Sequence, residues 1–263
     1  MRLGFIGAGN MAQAMIGGIL AKEIVKKEDI IASAATQKTI DKVAKEFGIN
    51  VTLDNREVAK ADIIFIAVKP FYYEEVIDGI KDVVDEKQLI ISVAAGKSVE
   101  WVENAFGGKK KIVRIMPNTP ALVGEAVTAI CPNANITDGE KQEIVELIAS
   151  FGLAQIVSEK IMDAVIAVSG SSPAYVFMFI EAMADAAVAE GMPRVQAYQF
   201  AAQSVLGSAK MVLETGKHPG ELKDMVCSPS GTTIEAVKVL EEKGFRSSII
   251  EAMSACADKS RNM

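Results

Sequence analysis

Residues 2–12 read Arg2-Leu3-Gly4-Phe5-Ile6-Gly7-Ala8-Gly9-Asn10-Met11-Ala12. The stretch starts as a short apolar run of strand character and ends as the opening of a helix. Between them stands G-x-G-x-x-A. Gly7 permits the tight turn, Gly9 leaves room for a pyrophosphate against bare backbone, and Ala12 lets the helix pack closely on a sheet. The helix N-terminus adds unpaired N–H groups and the positive end of its dipole. Six residues alone are a weak signal, and their meaning depends on a strand before, a helix after and a βαβ rhythm beyond.

That context is present. Residues 2–6 read as a strand and 10–21 as a helix, followed by a strand at 29–34 and a helix at 38–47. Residues 62–68 are nearly all apolar and β-branched, 89–93 repeat that character and 111–116 do so more weakly; 126–130 and 153–157 are later strand candidates. Continuous apolar strands between helices imply a sheet covered on both faces, hence a parallel one. We therefore expect an α/β chain, with a Rossmann-like parallel sheet and helices on both faces over residues 1–158. After residue 158 the texture becomes all-helical, with helices expected at 173–189, 195–214, 219–226, 233–243 and 247–260. The 173–189 helix is apolar almost all round apart from Glu181 and Asp185, which predicts burial. Burial against a second subunit is the favoured answer for 159–263; a self-contained bundle is the alternative.

Composition narrows the partners. The chain of 263 residues has 28 Lys+Arg against 34 Asp+Glu, a net charge of −6, which argues against nucleic acid. Three scattered cysteines and one histidine argue against a metal site and fit a reducing cytosol. The N-terminus lacks the h-region of a signal peptide, and the greasy stretch 175–189 is shorter than the ~20 residues of a membrane span. A cytoplasmic location is the expectation.

Where dinucleotide sites for NAD usually place an acid, at the end of the second strand, this chain has Ser33-Ala34-Ala35-Thr36-Gln37-Lys38. Ser33, Thr36 and Lys38 suit a 2′-phosphate, so NADPH is favoured and NADH is kept as possible. Two more strand ends, Ala67-Val68-Lys69-Pro70 and Ala94-Ala95-Gly96, face the ligand crevice in a parallel sheet and suit a nicotinamide. The helical half carries two small-residue loops before helices, Ser169-Gly170-Ser171-Ser172-Pro173 and Ser228-Pro229-Ser230-Gly231-Thr232-Thr233. The latter includes Thr232-x-x-Glu235, a capping-box pattern, and its helix N-terminus suits a carboxylate. His218 reads as a surface residue. No strong base of the kind alcohol oxidation needs is evident, so an acceptor that arrives already protonated, such as an imine, fits best.

Five motifs in order, residues 5–11, 67–70, 114–120, 169–175 and 228–233, resemble the pyrroline-5-carboxylate reductases over the whole length. The resemblance implies reduction of the cyclic imine 1-pyrroline-5-carboxylate to L-proline with NADPH or NADH, the last step of proline synthesis. It also implies a helical C-terminal domain that interlocks in a homodimer, with dimers often gathered into rings. By position it assigns Ile6, Gly7, Ala8, Gly9, Asn10 and Met11 to the pyrophosphate and Asn55 to the adenosine part. It assigns Ala67, Val68, Lys69, Pro70, Ala94, Ala95 and Gly96 to the ribose and nicotinamide. Ser228, Gly231, Thr232 and Thr233 would hold the substrate carboxylate, with Thr233 the catalytic candidate nearest the ring nitrogen and Glu159 on the substrate side. Family members often carry Gly where this chain has Ser172 and Ser230, and Asn where it has Met225. The added Cβ atoms in tight loops either narrow the pocket or demand altered backbone angles. Two other readings stay open: a different reductase on the same two-domain plan, and a dinucleotide sensor without turnover.

Overall fold

The computed structural model describes residues 1–262. In chain order the elements are β1 (Leu3–Ile6), α1 (Asn10–Ala21), β2 (Ile30–Ser33), α2 (Gln37–Phe47), β3 (Asn50–Thr52), α3 (Asn55–Val58), β4 (Ile63–Ile66), α4 (Tyr73–Ile80), β5 (Leu89–Ser92), α5 (Val99–Phe106), β6 (Lys111–Met116), β7 (Ala126–Pro132), α6 (Asp138–Ile148) and β8 (Gly152–Ile156). There follow α7 (Met162–Val165), a π-turn (Ile166–Gly170), α8 (Ser172–Ala189), α9 (Arg194–Thr215), α10 (Pro219–Val226), α11 (Thr232–Glu242) and α12 (Phe245–Arg261).

The eight strands form one sheet in the order β3-β2-β1-β4-β5-β6-β7-β8. All neighbours run parallel except β6 and β7, which pair antiparallel through Val113↔Pro132 to Met116↔Ala129. The expected parallel sheet is present, with this one antiparallel pair added to it. Only residues 117–125 link the two strands, too few for the crossover that parallel pairing demands. The outer strand β3 escaped the sequence reading because three residues, Asn50-Val51-Thr52, carry too little periodicity.

Both faces of the sheet are covered. On one, Phe5 and Phe65 stack with centroids 4.4 Å apart beneath Met15, Ile16 and Ile19 of α1 and Leu147 and Ile148 of α6. On the other, Ile6, Ile64 and Ile66 meet Val76, Ile77 and Ile80 of α4 and Val102 and Phe106 of α5. β-branched strand residues fill a pleated, doubly covered surface well, which is why these short runs suffice.

The chain divides into two compact units, residues 1–171 with the stretch from Cys256 onward, and Ser172–Ala255. These bounds differ from the division at 158/159 that the sequence suggested. In the first unit, the end of α12 is tied to the π-turn region: Ser260 Oγ donates to Asp163 Oδ1 at 2.6 Å and Cys256 Sγ to Ser171 Oγ at 3.1 Å. In the second, α8 and α9 lie together with Ala184, Ala197 and Ala201 buried. Val176, Phe177, Met178 and Phe179 of α8 are exposed on the single chain, so the burial predicted for this helix is not supplied by its own chain. The helical run Glu159–Ala189 is long and apolar enough, by length and composition alone, to cross a membrane. This run is longer than the greasy stretch 175–189 and includes it.

Candidate active site

The glycine loop is knitted to the strands on either side. Gly7 N donates to Ser33 O at 3.1 Å, and Ala67 N donates to Ile6 O at 2.8 Å. Gly7 sits at φ +95°, and a Cβ there would lie 2.7 Å from Val68 Cγ1 and 2.9 Å from Val68 N. No other residue fits without moving the Ala67–Val68 segment that follows β4. At Gly9 the logic is different: a Cβ would meet nothing within 4 Å. Gly9 is the N-cap of α1, no side chain caps that helix and its first turn holds no acid. The space and the free N–H groups suit a pyrophosphate, so this chain fits a dinucleotide. Ala8 is buried beneath the loop while Asn10 is exposed and Met11 half-buried. Gln13 steadies the loop, its Nε2 donating to Ala8 O at 2.7 Å while Lys42 Nζ donates to its Oε1 at 3.1 Å. Neither residue belongs to the motif, so sequence reading missed both.

At the end of β2, Ser33 is fully buried and its hydroxyl donates to Asn55 Oδ1 at 2.7 Å. Its side chain therefore holds Asn55, the first residue of α3, instead of facing a 2′-phosphate as the sequence suggested. Thr36 caps α2 by accepting from Thr39 N, and Lys38 in the first turn of that helix is exposed.

The ends of β4 and β5 carry the other expected cofactor residues. Ala67, Val68 and Pro70 are half-buried and Lys69 is exposed, while Ala94 is buried and Gly96 turns at φ +73°. Between them stands Tyr73, which the sequence reading did not single out. Its phenol donates to Ile66 O and accepts from Val93 N at 3.0 Å and Ser92 Oγ at 3.3 Å. Burial pushes its pKa up to about 12, so it stays a neutral donor.

Glu159 lies in the same unit. Its Oε1 accepts from Arg114 Nη1 and from Val99 N, both at 2.9 Å. The carboxylate neutralises a guanidinium only 8% exposed and caps α5, whose N-cap Ser98 takes the Trp101 amide. Both bonds fall on Oε1, and the Glu159 side chain remains 35% exposed. Asn118, from the same motif as Arg114, is internal: its Nδ2 donates to Ser169 O at 3.0 Å and its Oδ1 accepts from Val127 N at 3.0 Å.

The substrate loop belongs to the second unit. Gly231 N donates to Ser228 O at 3.0 Å, closing a turn in which Ser230 takes φ +58°. The turn holds Ser230 in the left-handed region that glycine adopts freely, so its Cβ is accommodated there at a cost instead of altering the backbone angles. Gly231 has no alternative, since a Cβ would lie 2.4 Å from Ser228 Oγ. The capping box expected of Thr232 and Glu235 does not form. Gly231 is the N-cap of α11, Thr232 is already helical, and Glu235 pairs with Lys238 at 3.0 Å. The first-turn N–H groups are consequently left without a side-chain acceptor, as at α1. Met225 is exposed, and His218 caps α10 by accepting from Gly220 N at 3.0 Å.

The family model "Pyrroline-5-carboxylate reductase dimerisation" matches residues 159–263, and "NADP oxidoreductase coenzyme F420-dependent" matches residues 2–96. Pyrroline-5-carboxylate reductase of Escherichia coli K12 is 51% identical over all of this chain and 98% of the relative. That of Methanosarcina acetivorans is 43% identical over all of this chain and 97% of the relative. The crystal structure of the Plasmodium falciparum pyrroline carboxylate reductase with NADP bound aligns with a TM-score of 0.91 and 34% identity, covering 100% of this chain and 97% of that one. With both units matched along their full length, the chain belongs to the pyrroline-5-carboxylate reductase family.

Proposed function

We propose that this protein reduces 1-pyrroline-5-carboxylate to L-proline with NADPH, accepting NADH less well, as the last step of proline synthesis. The observation that carries the reading is the 51% identity over the whole chain, joined to a glycine loop whose helix N-terminus has no acceptor of its own. When bound, the reduced dinucleotide supplies a hydride to the imine carbon. The first turn of α1 binds its pyrophosphate, and Asn55, held by Ser33, receives the adenosine part. Thr36 and Lys38 serve the 2′-phosphate, which gives NADPH its preference. Residues 67–70 and 94–96 frame the reacting ring.

Residues 1–158 act as the dinucleotide half and 159–263 as the substrate and dimer half. Ser228, Gly231, Thr232 and Thr233 bind the substrate carboxylate at the N-terminus of α11, where the helix dipole adds about 0.3–2 kcal/mol. Thr233 positions the ring nitrogen, because a hydroxyl is too weak an acid to protonate a neutral imine by itself. Orientation of this kind supplies roughly 7–11 kcal/mol of a barrier in well-aligned systems. The exposed apolar face of α8 meets a second copy, which leaves the helical run Glu159–Ala189 at a subunit contact, not in a bilayer, and the protein soluble in the cytoplasm.

Steady-state kcat/KM with 1-pyrroline-5-carboxylate and each cofactor tests the reading. Imine-dependent NADPH oxidation is expected, and its absence in the assembled protein overturns it. Thr233→Val lowers kcat/KM for the imine; an unchanged value across pH ends the role given to Thr233.

A further inference from the structure

Three aromatic residues stand in a row at 71–73, and the fold treats them differently. Phe71 is 73% exposed and Tyr72 48% exposed, while Tyr73 is fully buried. Burying a tyrosine where phenylalanine would pack equally well adds a hydroxyl that must find partners or lose its hydration. Here its bonding capacity is filled. The O–H donates to Ile66 O, and the oxygen accepts from Val93 N and Ser92 Oγ.

The place of these bonds matters more than their number. Ile66↔Ser92 is the last register pair of β4 and β5. One residue further on, the ladder bond from Val93 N to Ile66 O has stretched to 3.3 Å. The phenol sits at that point and shares the same two backbone groups. Beyond it β4 continues into Ala67-Val68-Lys69-Pro70 and β5 into Ala94-Ala95-Gly96, with no direct hydrogen bond between the two stretches among the described residues.

We propose that Tyr73 is a positioning residue for the cofactor: its phenol fastens the diverging ends of β4 and β5 and so sets the width of the crevice that receives the nicotinamide. The inference rests on the dinucleotide-dependent reading above, and it assigns Tyr73 no contact with substrate or cofactor. It acts through Ile66, Ser92 and Val93.

Tyr73→Phe keeps the ring and removes the hydroxyl; Ser92→Ala removes one of its partners and is the milder variant. Three readouts are compared on the full-length assembled protein. Without cofactor, hydrogen–deuterium exchange at the Val93 and Ala94 amides accelerates in Tyr73→Phe. Calorimetric titration with NADPH shows Kd raised about fivefold, the usual worth of one hydrogen bond. The KM for the imine at saturating NADPH stays within about twofold of wild type, since residues 228–233, assigned to the substrate carboxylate, take part in none of these bonds. Ile80→Ala, in the same core face but remote from these bonds, serves as a control: it lowers Tm and leaves the NADPH Kd unchanged. Tyr73→Phe that lowers Tm while Kd and exchange at 93–94 stay at wild-type values overturns the proposal. Because titration and exchange need no turnover, wild-type protein that binds NADPH but fails to reduce the imine defeats the assigned reaction and leaves the Tyr73 test standing.

Discussion

The two loops assigned to ligands follow the same local plan and rest on very different supports. Each brings a glycine N-cap, with no side-chain cap hydrogen bond, to its helix, Gly9 before α1 and Gly231 before α11, although α11 holds Glu235 in its first turn where α1 holds no acid. The Gly7–Gly9 loop is locked by Ser33 O, Ile6 O and Val68 on a sheet covered from both sides. The Ser228–Thr232 loop is largely exposed, holds a non-glycine residue at positive φ, and belongs to a unit whose large apolar side chains face outward on the single chain. One half carries its own scaffold. The other leaves large apolar side chains uncovered on the single chain, and it is the half that the dimerisation model matches.

The sharpest way to break that contrast is Phe177→Glu on α8. A charge placed in a self-complementary contact acts on both copies, and interface hot spots are worth about 2–4 kcal/mol each. Dimer dissociation is expected to strengthen by about a thousandfold or more in sedimentation velocity, with imine reduction lost and NADPH binding retained by the first unit. A monomer that still reduces the imine removes the distinction between the halves.

Next is Glu159→Ala, which leaves the Arg114 guanidinium buried without a counter-charge. A loss of about 2–4 kcal/mol is expected in denaturant unfolding. Arg114→Met in the same chain restores much of it, because an apolar side chain of similar size needs no partner. If Glu159 is instead a substrate ligand, the double variant recovers stability and the imine KM stays high.

The phenol of Tyr73 supplies a pH signature. Its pKa is raised by burial to about 12 from an ordinary 10, so the folded state holds its proton over a range in which the unfolded chain has lost it. Stability from this group is complete below pH 10 and is lost as pH rises from 10 toward 12. The loss approaches about 2–3 kcal/mol over that window. Thermal unfolding of wild type should fall faster between pH 9 and about 10.5 than that of Tyr73→Phe. Parallel curves would place the phenol in contact with water.

Ser230→Gly carries the smallest effect. Removing a Cβ from the left-handed region at φ +58° is expected to add about 0.5–1 kcal/mol to stability. The gain should appear as a small rise in Tm with the imine KM unchanged or lower. A fall in Tm would show that the Ser230 side chain supports its loop.

Much of the site was legible because its logic is local. Gly7 and Gly9 announce themselves by spacing, and the structure supplies the reasons: a clash with Val68 at one and open space at the other. The Thr232-x-x-Glu235 pattern misled, because a pattern of types cannot tell whether the helix begins at Thr232 or one residue earlier at Gly231. Ser33 misled for another reason. Its position at a strand end is visible in sequence, but the rotation of its hydroxyl toward Asn55 depends on a residue 22 positions away.

By itself the sequence determined the alternation of apolar strands and helices, the glycine turn after β1, the switch to all-helical texture and the motifs that name the family. All of these are written in spacings of a few residues. Only the tertiary structure decided that β7 turns back against β6, that Glu159 pairs with Arg114, and that Tyr73 ties β4 to β5. Each of those depends on groups brought together from distant parts of the chain, where burial and unsatisfied hydrogen bonds, not local propensity, choose the partner.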